Sequence, residues 1–582
     1  MIRPAFVLAA TVLAVPATAQ QPTFSSQRLS QHVQTLGSDA YEGRGVGVAA
    51  ETKTVNYLVQ QFRSAGLQPG GATVNGRRGW TQPVPLLQSD WQGTPTLSMT
   101  VAGQQLPLTQ GQEIAARAPT NGQSALNLQN LPLVFVGYGV RAPERNWDDF
   151  KGQDLRGKIM VVLVNDPDFE GPLADAQNGD FGGKAMTYYG RWTYKYEEGA
   201  RQGAAGVLVI HETAPASYGW ATVKNSNTNT MFDIVRQNPA AEHPPLEAWI
   251  QQDLAGRIFA ASGTSLEQMK AAARRRDFRP VPLKATLTAQ GQARTQTITS
   301  QNVVGILPGR TRPDETVIYT GHWDHLGIGQ PDANGDRIYN GAMDNATGIA
   351  HMIEQARAFA RGPRPERSVV FLAVTAEEKG LLGSEYYAAN PLYPVEKTAG
   401  VLNTDSMGVF GRARDFSISG TARLELLDML VEEGRRLGRT FTPDPNPQSG
   451  GFYRSDHFTL AKVGVPAISF RSGQDLVDGG VARGEAIARE YTEKRYHQPD
   501  DEYLPSWNFE GIAADATLLH AVGRRLANST AWPNWSPDSE FRAARDASAA
   551  ARGGAAQPSG APPVPAPSEP APTPADVAGE RG

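Results

Sequence analysis

The second half of the chain carries six side chains that can bind metal ions or act beside them, each near the end of an apolar run. They are His322, Asp344, Glu377, Glu378, Asp405 and His497. Two histidines and three carboxylates are the ligands that a pair of borderline-hard divalent cations prefers. The remaining carboxylate, adjacent to a ligand, suits a general base for an attacking water. The set therefore predicts a two-metal hydrolase.

Alternating strands and helices are expected to position these residues. The predicted strands cover 303–307, 317–320, 369–375, 399–404 and 465–470, and the main predicted helices cover 346–360 and 424–437. This alternation predicts a mainly parallel sheet covered by helices on both faces. Ligands of open α/β sheets bind beyond the carboxyl ends of the strands. His322, the Glu377–Glu378 pair and Asp405 follow such ends, so we expect the fold to bring them together.

Residues 116–285 are predicted to form a module of their own, inserted after an N-terminal peptidase segment at 20–115. Buried-strand runs at 131–140, 158–164 and 207–210 surround a predicted helix at 194–202. The module resembles the protease-associated (PA) domain. The resemblance rests on V-F-V-G-Y-G at 134–139, G-K-I at 157–159, E-G-A at 198–200 and G-V-L at 206–208. An α/β insertion without a function of its own is the alternative.

The order of the motifs identifies a family for the remainder of the chain. H-x-D at His322 is followed by G-x-x-D-N-x-x-G around Asp344, E-E-x-G-L-x-G-S from Glu377, and then Asp405, S-D-H at 455–457 and Y-H at 496–497. This series resembles the M28 family of zinc metallopeptidases. The resemblance implies a zinc exopeptidase fold, an α/β architecture with a mainly parallel central sheet flanked by helices, here at 286–535 with the β-rich PA-like insert.

The same resemblance implies two zinc ions per chain, about 3.5–4 Å apart as in other two-metal hydrolases. It assigns His322 and Asp405 to one ion and Glu378 and His497 to the other. Asp344 bridges both ions, and Glu377 is the general base. The peptide bond after Asp344 is expected to be cis.

Several neighbours are expected to support these ligands. Asp324 is placed to accept the second ring N–H of His322, and Asp500 or Asp501 to do the same for His497. Asp456 of the S-D-H motif is expected near the metal carboxylates, whereas His325 is interpreted as a structural loop residue. Tyr496 is a candidate for stabilising the tetrahedral oxyanion, and an aromatic that only packs the pocket wall is the alternative.

The predicted reaction is hydrolysis of a peptide bond at a free amino terminus, with peptides as substrates. A carboxypeptidase that holds a terminal carboxylate with Arg454 or Arg471 is one alternative. A glutaminyl cyclase-like transferase with a single zinc and a non-enzymatic relative are others, and the insert alone could bind a sugar or peptide. The aromatic segment 188–194 lines the cleft or forms the core of the insert, and it favours apolar first residues.

Composition and chain ends bear on location and partners. The chain has 582 residues, a net charge of -4 and no basic cluster, which gives no sign of nucleic-acid binding. Residues 1–19 read as a signal peptide with an A-x-A site at 17–19, so export to the periplasm or medium is expected, without stable membrane insertion. With no cysteine, the protein has no disulfides and a metal site of N and O ligands only. The Pro/Ala-rich residues 536–582 are predicted to be a disordered tail. The oligomeric state stays open.

Overall fold

One long strand connects the two sheets of the protein. The computed structural model describes residues 23–171 and 179–552. In it, Val281–Leu307 forms a continuous strand of 27 residues, here called the shared strand. Its first part, to Gln292, pairs within a second sheet, and its last part pairs within the main sheet.

The main sheet positions the predicted ligands. Across the sheet the strands lie in the order Met231–Ile234, Thr81–Trp91, shared strand, Arg367–Val374, Arg312–His322, Thr398–Thr404, Ala467–Ser472, Asp415–Ile418 and Thr440–Phe441, with Gln68–Pro69 also on the shared strand. The four strands from Arg367–Val374 to Ala467–Ser472 run parallel. Their apolar side chains are buried on both faces, as parallel strands require. The predicted α/β class with a large, mainly parallel central sheet and flanking helices is confirmed.

Helices cover this sheet. They are Ser26–Leu36, Ala49–Ala65, Ala346–Arg361, Leu382–Ala389, Glu425–Arg436, His457–Lys462, Gly480–Lys494 and Glu510–Asn528. The helical period of Ile349, Met352, Ile353, Ala356 and Phe359 gives Ala346–Arg361 a continuous apolar face, and all five side chains are buried. This helix starts directly beside Asp344, so its packing fixes the position of that residue.

The second sheet has a parallel centre of its own. Its strands lie in the order Gln104–Leu108, Thr96–Val101, shared strand, Ala125–Phe135, Ile159–Leu163, Gly206–His211, Glu247–Gln251 and Ile114–Ala116. The helices around it are Trp192–Arg201, Thr213–Ala216, Trp220–Asn227, Gln252–Ala261 and Leu266–Ala273. The strands of this sheet therefore begin near residue 96 and end near 292, outside the predicted bounds 116–285. Those bounds, and the PA-like character of the insert, stay predictions.

The C-terminal segment departs from the prediction of a tail starting at 536. Arg542–Ala547 is a helix, Phe541 packs on Trp535 at 4.9 Å between ring centroids, and Arg545 is 1% exposed. Arg545 donates to the carbonyl of Thr398 at 3.0 Å, so this segment closes one end of a central strand. Sequence composition missed it because a few side chains anchor an otherwise polar stretch. The predicted signal peptide and residues 553–582 lie outside the described residues.

Membrane insertion was not expected from the sequence. Throughout 23–171 and 179–552, no helix combines the length and the apolar character that crossing a bilayer requires.

Candidate metal centre

The strand register of the main sheet brings three of the predicted site residues to one edge. His322 ends its strand opposite Val374, and Thr320 of the same strand lies opposite Asn403. Glu377 begins a short helical turn three residues after Val374, and Asp405 follows Asn403 by two residues. Because these strands are parallel and level, their carboxyl ends deliver side chains to the same place.

Asp344 reaches this place from the loop before a helix. Asn345 caps the helix, since its side-chain oxygen accepts from the backbone of Gly348 at 2.9 Å. The Asn345 amide also donates to the carbonyl of Thr404 at 3.0 Å, which ties the loop to the strand that carries Asp405. The Asp344–Asn345 peptide bond is cis, as the family resemblance led us to expect.

The ligand atoms form two sets that share Asp344. His322 Nε2 lies 3.3 Å from Asp344 Oδ1 and 3.3 Å from Asp405 Oδ1. His497 Nε2 lies 3.5 Å from Asp344 Oδ2 and 3.0 Å from Glu378 Oε2. One oxygen of Asp344 therefore faces each set, which is the arrangement of a carboxylate that bridges two ions.

These spacings fit zinc. Ligand atoms about 2.0–2.2 Å from a tetrahedral zinc lie roughly 3.3–3.6 Å from one another. The four distances within the two sets, 3.0 to 3.5 Å, are close to that value. The donors are imidazole nitrogens and carboxylate oxygens, which suit zinc and similar divalent ions. The residues present therefore fit zinc.

Glu377 lies close to the first set, and its carboxylate is near enough to His322 and Asp405 to hold an ion together with them. Its Oε2 is 3.9 Å from His322 Nε2, farther than the oxygens of Asp344 and Asp405. Burial raises the pKa of the Glu377 carboxyl well above its ordinary value; His322 opposes this rise, and Asp405 and Glu378 reinforce it. A carboxyl with a raised pKa at this position is a candidate for proton transfer.

Charge compensation inside the centre is strong. Burial acts to raise the pKa of Asp344, but His322 and His497 hold it well below its ordinary value. The same balance applies to Glu378, where His497 outweighs burial and the pKa is lowered. Burial acts to lower the pKa of His497, whereas Glu378 and Asp344 raise it to about 9. The carboxylates and histidines of the centre thus stabilise one another's charged forms.

Asp324 supports the centre, but through different atoms from those expected. Its carboxylate lies 3.9 Å from His322 Nδ1, too far for a hydrogen bond, whereas its backbone carbonyl lies 3.1 Å from that nitrogen. The carboxylate instead accepts from the backbone N–H groups of Glu377 and Glu378, at 3.1 and 3.4 Å. Asp324 therefore orients the Glu377–Glu378 turn, and burial raises its pKa to about 6.

Asp456 is buried and within electrostatic reach of His322 and Asp405. Burial raises the pKa of Asp456 to about 7. The neighbouring His457 is also fully buried, and burial lowers its pKa to about 3. Its ring packs edge-on against Phe452, at 4.8 Å between centroids, which is a packing position rather than a ligand position.

His497 is held by a residue that the sequence analysis missed. Its Nδ1 lies 2.8 Å from Ser226 Oγ, and its carbonyl accepts from the side chain of Asn225 at 3.0 Å. Both residues belong to the helix Trp220–Asn227, which packs beside the second sheet. The expected partners, Asp500 and Asp501, act elsewhere. Asp501 accepts from the backbone of Met343 and of Asp344, each at 3.0 Å.

Two further residues at the centre were not predicted. Arg44 is fully buried and donates only to backbone carbonyls, including those of Trp323 at 2.9 Å and Gly341 at 2.7 Å. It thereby joins the loops that carry His322 and Asp344. His325, interpreted from sequence as a loop residue, places Nδ1 at 2.5 Å from Glu378 Oε1. Its spacing of three residues from His322 was the available signal, whereas nothing in the sequence marked Arg44.

The centre opens into a cavity of about 1210 Å³ between the two sheets. Asp344, Glu377 and Asp405 line it from the main sheet, and Tyr188 and Trp192 from the insert. Tyr188 and Trp192 belong to the aromatic segment 188–194, in which Tyr194 is buried against its neighbours. The segment thus both lines the cleft and packs the insert.

Tyr496 borders this cavity next to the ligands. Its ring lies 3.9 Å from that of His497 between centroids, and its hydroxyl accepts from Arg454 Nη2 at 2.8 Å. Because the hydroxyl oxygen accepts this hydrogen bond, its own proton is free to point into the cavity. Burial raises the pKa of Tyr496 above its ordinary value against the opposing effect of Arg454, so the hydroxyl stays protonated.

The fold and this centre define an α/β protein with a metal-type site at the carboxyl end of its sheet. Residues 302–519 match the sequence model of peptidase family M28. This matched part of the chain holds all six site residues.

Individual relatives extend the comparison. A "Probable zinc metalloprotease" of Pyricularia oryzae is 38% identical over 107 residues, which cover 18% of this chain and 21% of that protein. "Aminopeptidase NAALADL1" of Mus musculus is 35% identical over 121 residues, 20% of this chain and 14% of its own length. The matches thus span about a fifth or less of these two curated relatives. Among solved structures, an aminopeptidase from Aneurinibacillus sp. strain AM-1 shares the fold at a TM-score of 0.50 and 20% identity, covering 87% of this chain and 95% of the other.

Proposed function

We propose that the chain is a two-zinc exopeptidase that hydrolyses the peptide bond next to a free amino terminus. The observation that carries the proposal is the position of Asp344, whose two oxygens face His322 on one side and His497 on the other. Asp405 completes the first ligand set and Glu378 the second. The zinc-metalloprotease name of the Pyricularia relative supports the choice of metal.

The side chains divide the chemistry between them. Bound zinc would polarise the substrate carbonyl and lower the pKa of the attacking water. Glu377 takes the proton of that water and later delivers it to the leaving amine. Tyr496 donates its free hydroxyl proton to the oxyanion that forms on the carbonyl oxygen. Asp324 keeps Glu377 oriented through its backbone N–H.

Two features support action at an amino terminus. The mouse relative carries an aminopeptidase name. A free α-amine can also be held by the metal site and a nearby carboxylate, which places the first carbonyl next to the water. For the carboxypeptidase alternative, Arg454 remains the candidate that would hold a terminal carboxylate, because it has no carboxylate partner among the described residues. Arg471 already lies 3.5 Å from the carboxylate of Asp444.

Blocked peptides separate these reactions. We expect N-acetylation of a short peptide to abolish cleavage and C-terminal amidation to leave cleavage in place. Rapid cleavage of an N-acetylated peptide with a free carboxylate would favour the carboxypeptidase instead. Ammonia release from a peptide with N-terminal glutamine, without peptide-bond cleavage, would favour the cyclase-like transferase.

The proposal includes export and a PA-like insert at the cleft. The short apolar run before the A-x-A site supports cleavage after residue 19, so the mature protein would begin at Gln20. Sequencing the amino terminus of the protein recovered from the periplasm or medium of a bacterial host tests this. A protein that retains residues 1–19 in the cytosol would contradict it.

A further inference from the structure

Two arginines that line the cavity, Arg191 and Arg454, form no ion pair with a carboxylate of the described residues. Other buried arginines pair with carboxylates or, like Arg44 and Arg545, donate to backbone carbonyls. Arg191 is only 8% exposed, lines the cavity, and has no hydrogen-bond partner for its Nε within the described residues. By contrast, buried Arg117, Arg367 and Arg439 lie 3.0, 2.6 and 2.7 Å from carboxylates. A buried guanidinium without an acceptor is unfavourable, so Arg191 marks a position where a ligand would supply the acceptor.

Arg454 lies in the same part of the cavity. It donates to the Tyr496 hydroxyl at 2.8 Å and to Ser217 Oγ at 3.4 Å, both neutral acceptors. Its guanidinium carbon lies 5.2 Å from the ring centroid of Tyr218. No carboxylate of residues 23–171 or 179–552 forms an ion pair with Arg454 or with Arg191. Arg191 and Arg454 line the same cavity. Burial lowers the pKa of Arg191 to about 10, and the charge of Arg454 acts in the same direction.

The geometry points to a carboxylate-binding subsite formed by Arg191 and Arg454 beside the metal centre. This proposal rests on the proposed function, because the carboxylate is taken to belong to a substrate peptide. A planar guanidinium binds a carboxylate with two parallel hydrogen bonds. The contact of Arg454 with Tyr496, next to the ligand His497, places this subsite within a residue or so of the scissile bond.

Two parts of a substrate carry such a group: the C-terminal carboxylate of a very short peptide and the side chain of an acidic residue. The chemistry is the same, so matched peptides have to distinguish them. Leu-Gly against Leu-Gly amide tests the terminal carboxylate. Glu-Gly amide against Gln-Gly amide tests the side chain. All four peptides have a free amine, so the proposed aminopeptidase reaction applies to each.

In one of the two pairs, we expect kcat/KM of the peptide with the carboxylate to exceed that of its uncharged partner by on the order of tenfold or more. This is the size of effect that a hydrogen-bonded charge pair gives. Arg191→Met should bring that ratio close to one, and Arg191→Lys should restore part of it. Arg489→Met removes an exposed charge at the cavity rim and should keep the ratio of the wild-type protein.

Ratios near one in both pairs for the wild-type protein, or a ratio unchanged by Arg191→Met, would overturn the subsite. If Leu-Gly amide is cleaved but both kcat/KM ratios are near one, the subsite is wrong and the proposed aminopeptidase function still stands. If no peptide is cleaved, the proposed function fails. Calorimetric binding of the same pairs to zinc-loaded Glu377→Gln protein then decides the subsite, because a preference in Kd does not require turnover.

Discussion

Ser226 gives the ligand His497 its second hydrogen bond, from a helix that carries no metal-type motif. The hydroxyl lies 2.8 Å from His497 Nδ1, the ring nitrogen opposite the one that faces Glu378 and Asp344. Such contacts fix the tautomer and the ring orientation of a metal-binding histidine.

Removal of this hydroxyl should weaken metal binding. We expect Ser226→Ala to lower zinc affinity or activity by roughly 10–100-fold, the usual effect of losing such a contact. Zinc titration against a competing chelator measures the affinity, and Ser226→Thr, which retains a hydroxyl, is the matched control. Equal affinities of the wild-type protein and Ser226→Ala would show that His497 does not need Ser226.

Residue types and spacing predicted the candidate ligands, because each lies in a short motif. His322, Glu378 and Asp405 lie at or just after strand ends, whereas Asp344 and His497 lie in turns. The contacts that orient them were harder to predict. Ser226 is about 270 positions from His497 in sequence, and Arg44 binds backbone carbonyls that any sequence offers. Asp324 was placed correctly but assigned the wrong contact, since the direction of a side chain from a turn depends on backbone angles that spacing does not give.

At the scale of elements, a charge network connects the two sheets. His243 Nε2 lies 3.1 Å from Asp233 Oδ2, and His243 Nδ1 lies 2.7 Å from Glu247 Oε1. Asp233 belongs to a main-sheet strand and Glu247 to a second-sheet strand. Both ring nitrogens face carboxylates, so the ring is a doubly protonated donor. Burial acts to lower the pKa of His243, but Glu247 and Asp233 outweigh it and raise the pKa to about 10.

This network should stabilise the fold in a pH-dependent manner. The pKa of His243 is higher in the folded state than the ordinary value of about 6.5, so its contribution is complete below that pH and is lost as the pH rises towards 10. We expect His243→Gln to lower the free energy of unfolding by about 1–3 kcal/mol at pH 6. The difference from the wild-type protein should shrink at pH 10. Denaturant unfolding at both values measures it, and a difference that stays constant with pH would contradict the ionised network.

Hydrophobic patterns predicted the central elements with small errors in their ends. The helix predicted at 346–360 is observed as Ala346–Arg361, and the strand predicted at 399–404 is observed as Thr398–Thr404. The shared strand was predicted only at 303–307. Its earlier residues alternate between buried and exposed positions and pair with two sheets, and this pairing depends on partners more than 140 positions away.

At the scale of the whole molecule, the C-terminal segment distinguishes the packed protein from its tail. Truncation after Arg552 should leave kinetics and Tm unchanged. Truncation after Trp535 removes Phe541, which also packs on Phe452 at 5.6 Å, and it removes the hydrogen bond of Arg545 to Thr398. Loss of a buried phenylalanine costs about 3–5 kcal/mol, so we expect a clearly lower Tm. Equal melting temperatures for the two truncated proteins would show that residues 536–552 do not stabilise the core.

The central claim is that two zinc ions share Asp344 while Glu377 works beside them as a base. Zinc content per chain, measured together with peptide turnover on wild-type and Glu377→Gln protein, tests it most directly. We predict about two zinc ions in both proteins, as in other two-metal hydrolases, and near-complete loss of turnover in Glu377→Gln. Glu378→Gln, the matched control from the same turn, should lose zinc in addition to turnover. A single zinc in the wild-type protein, or an active Glu377→Gln variant, would contradict the account.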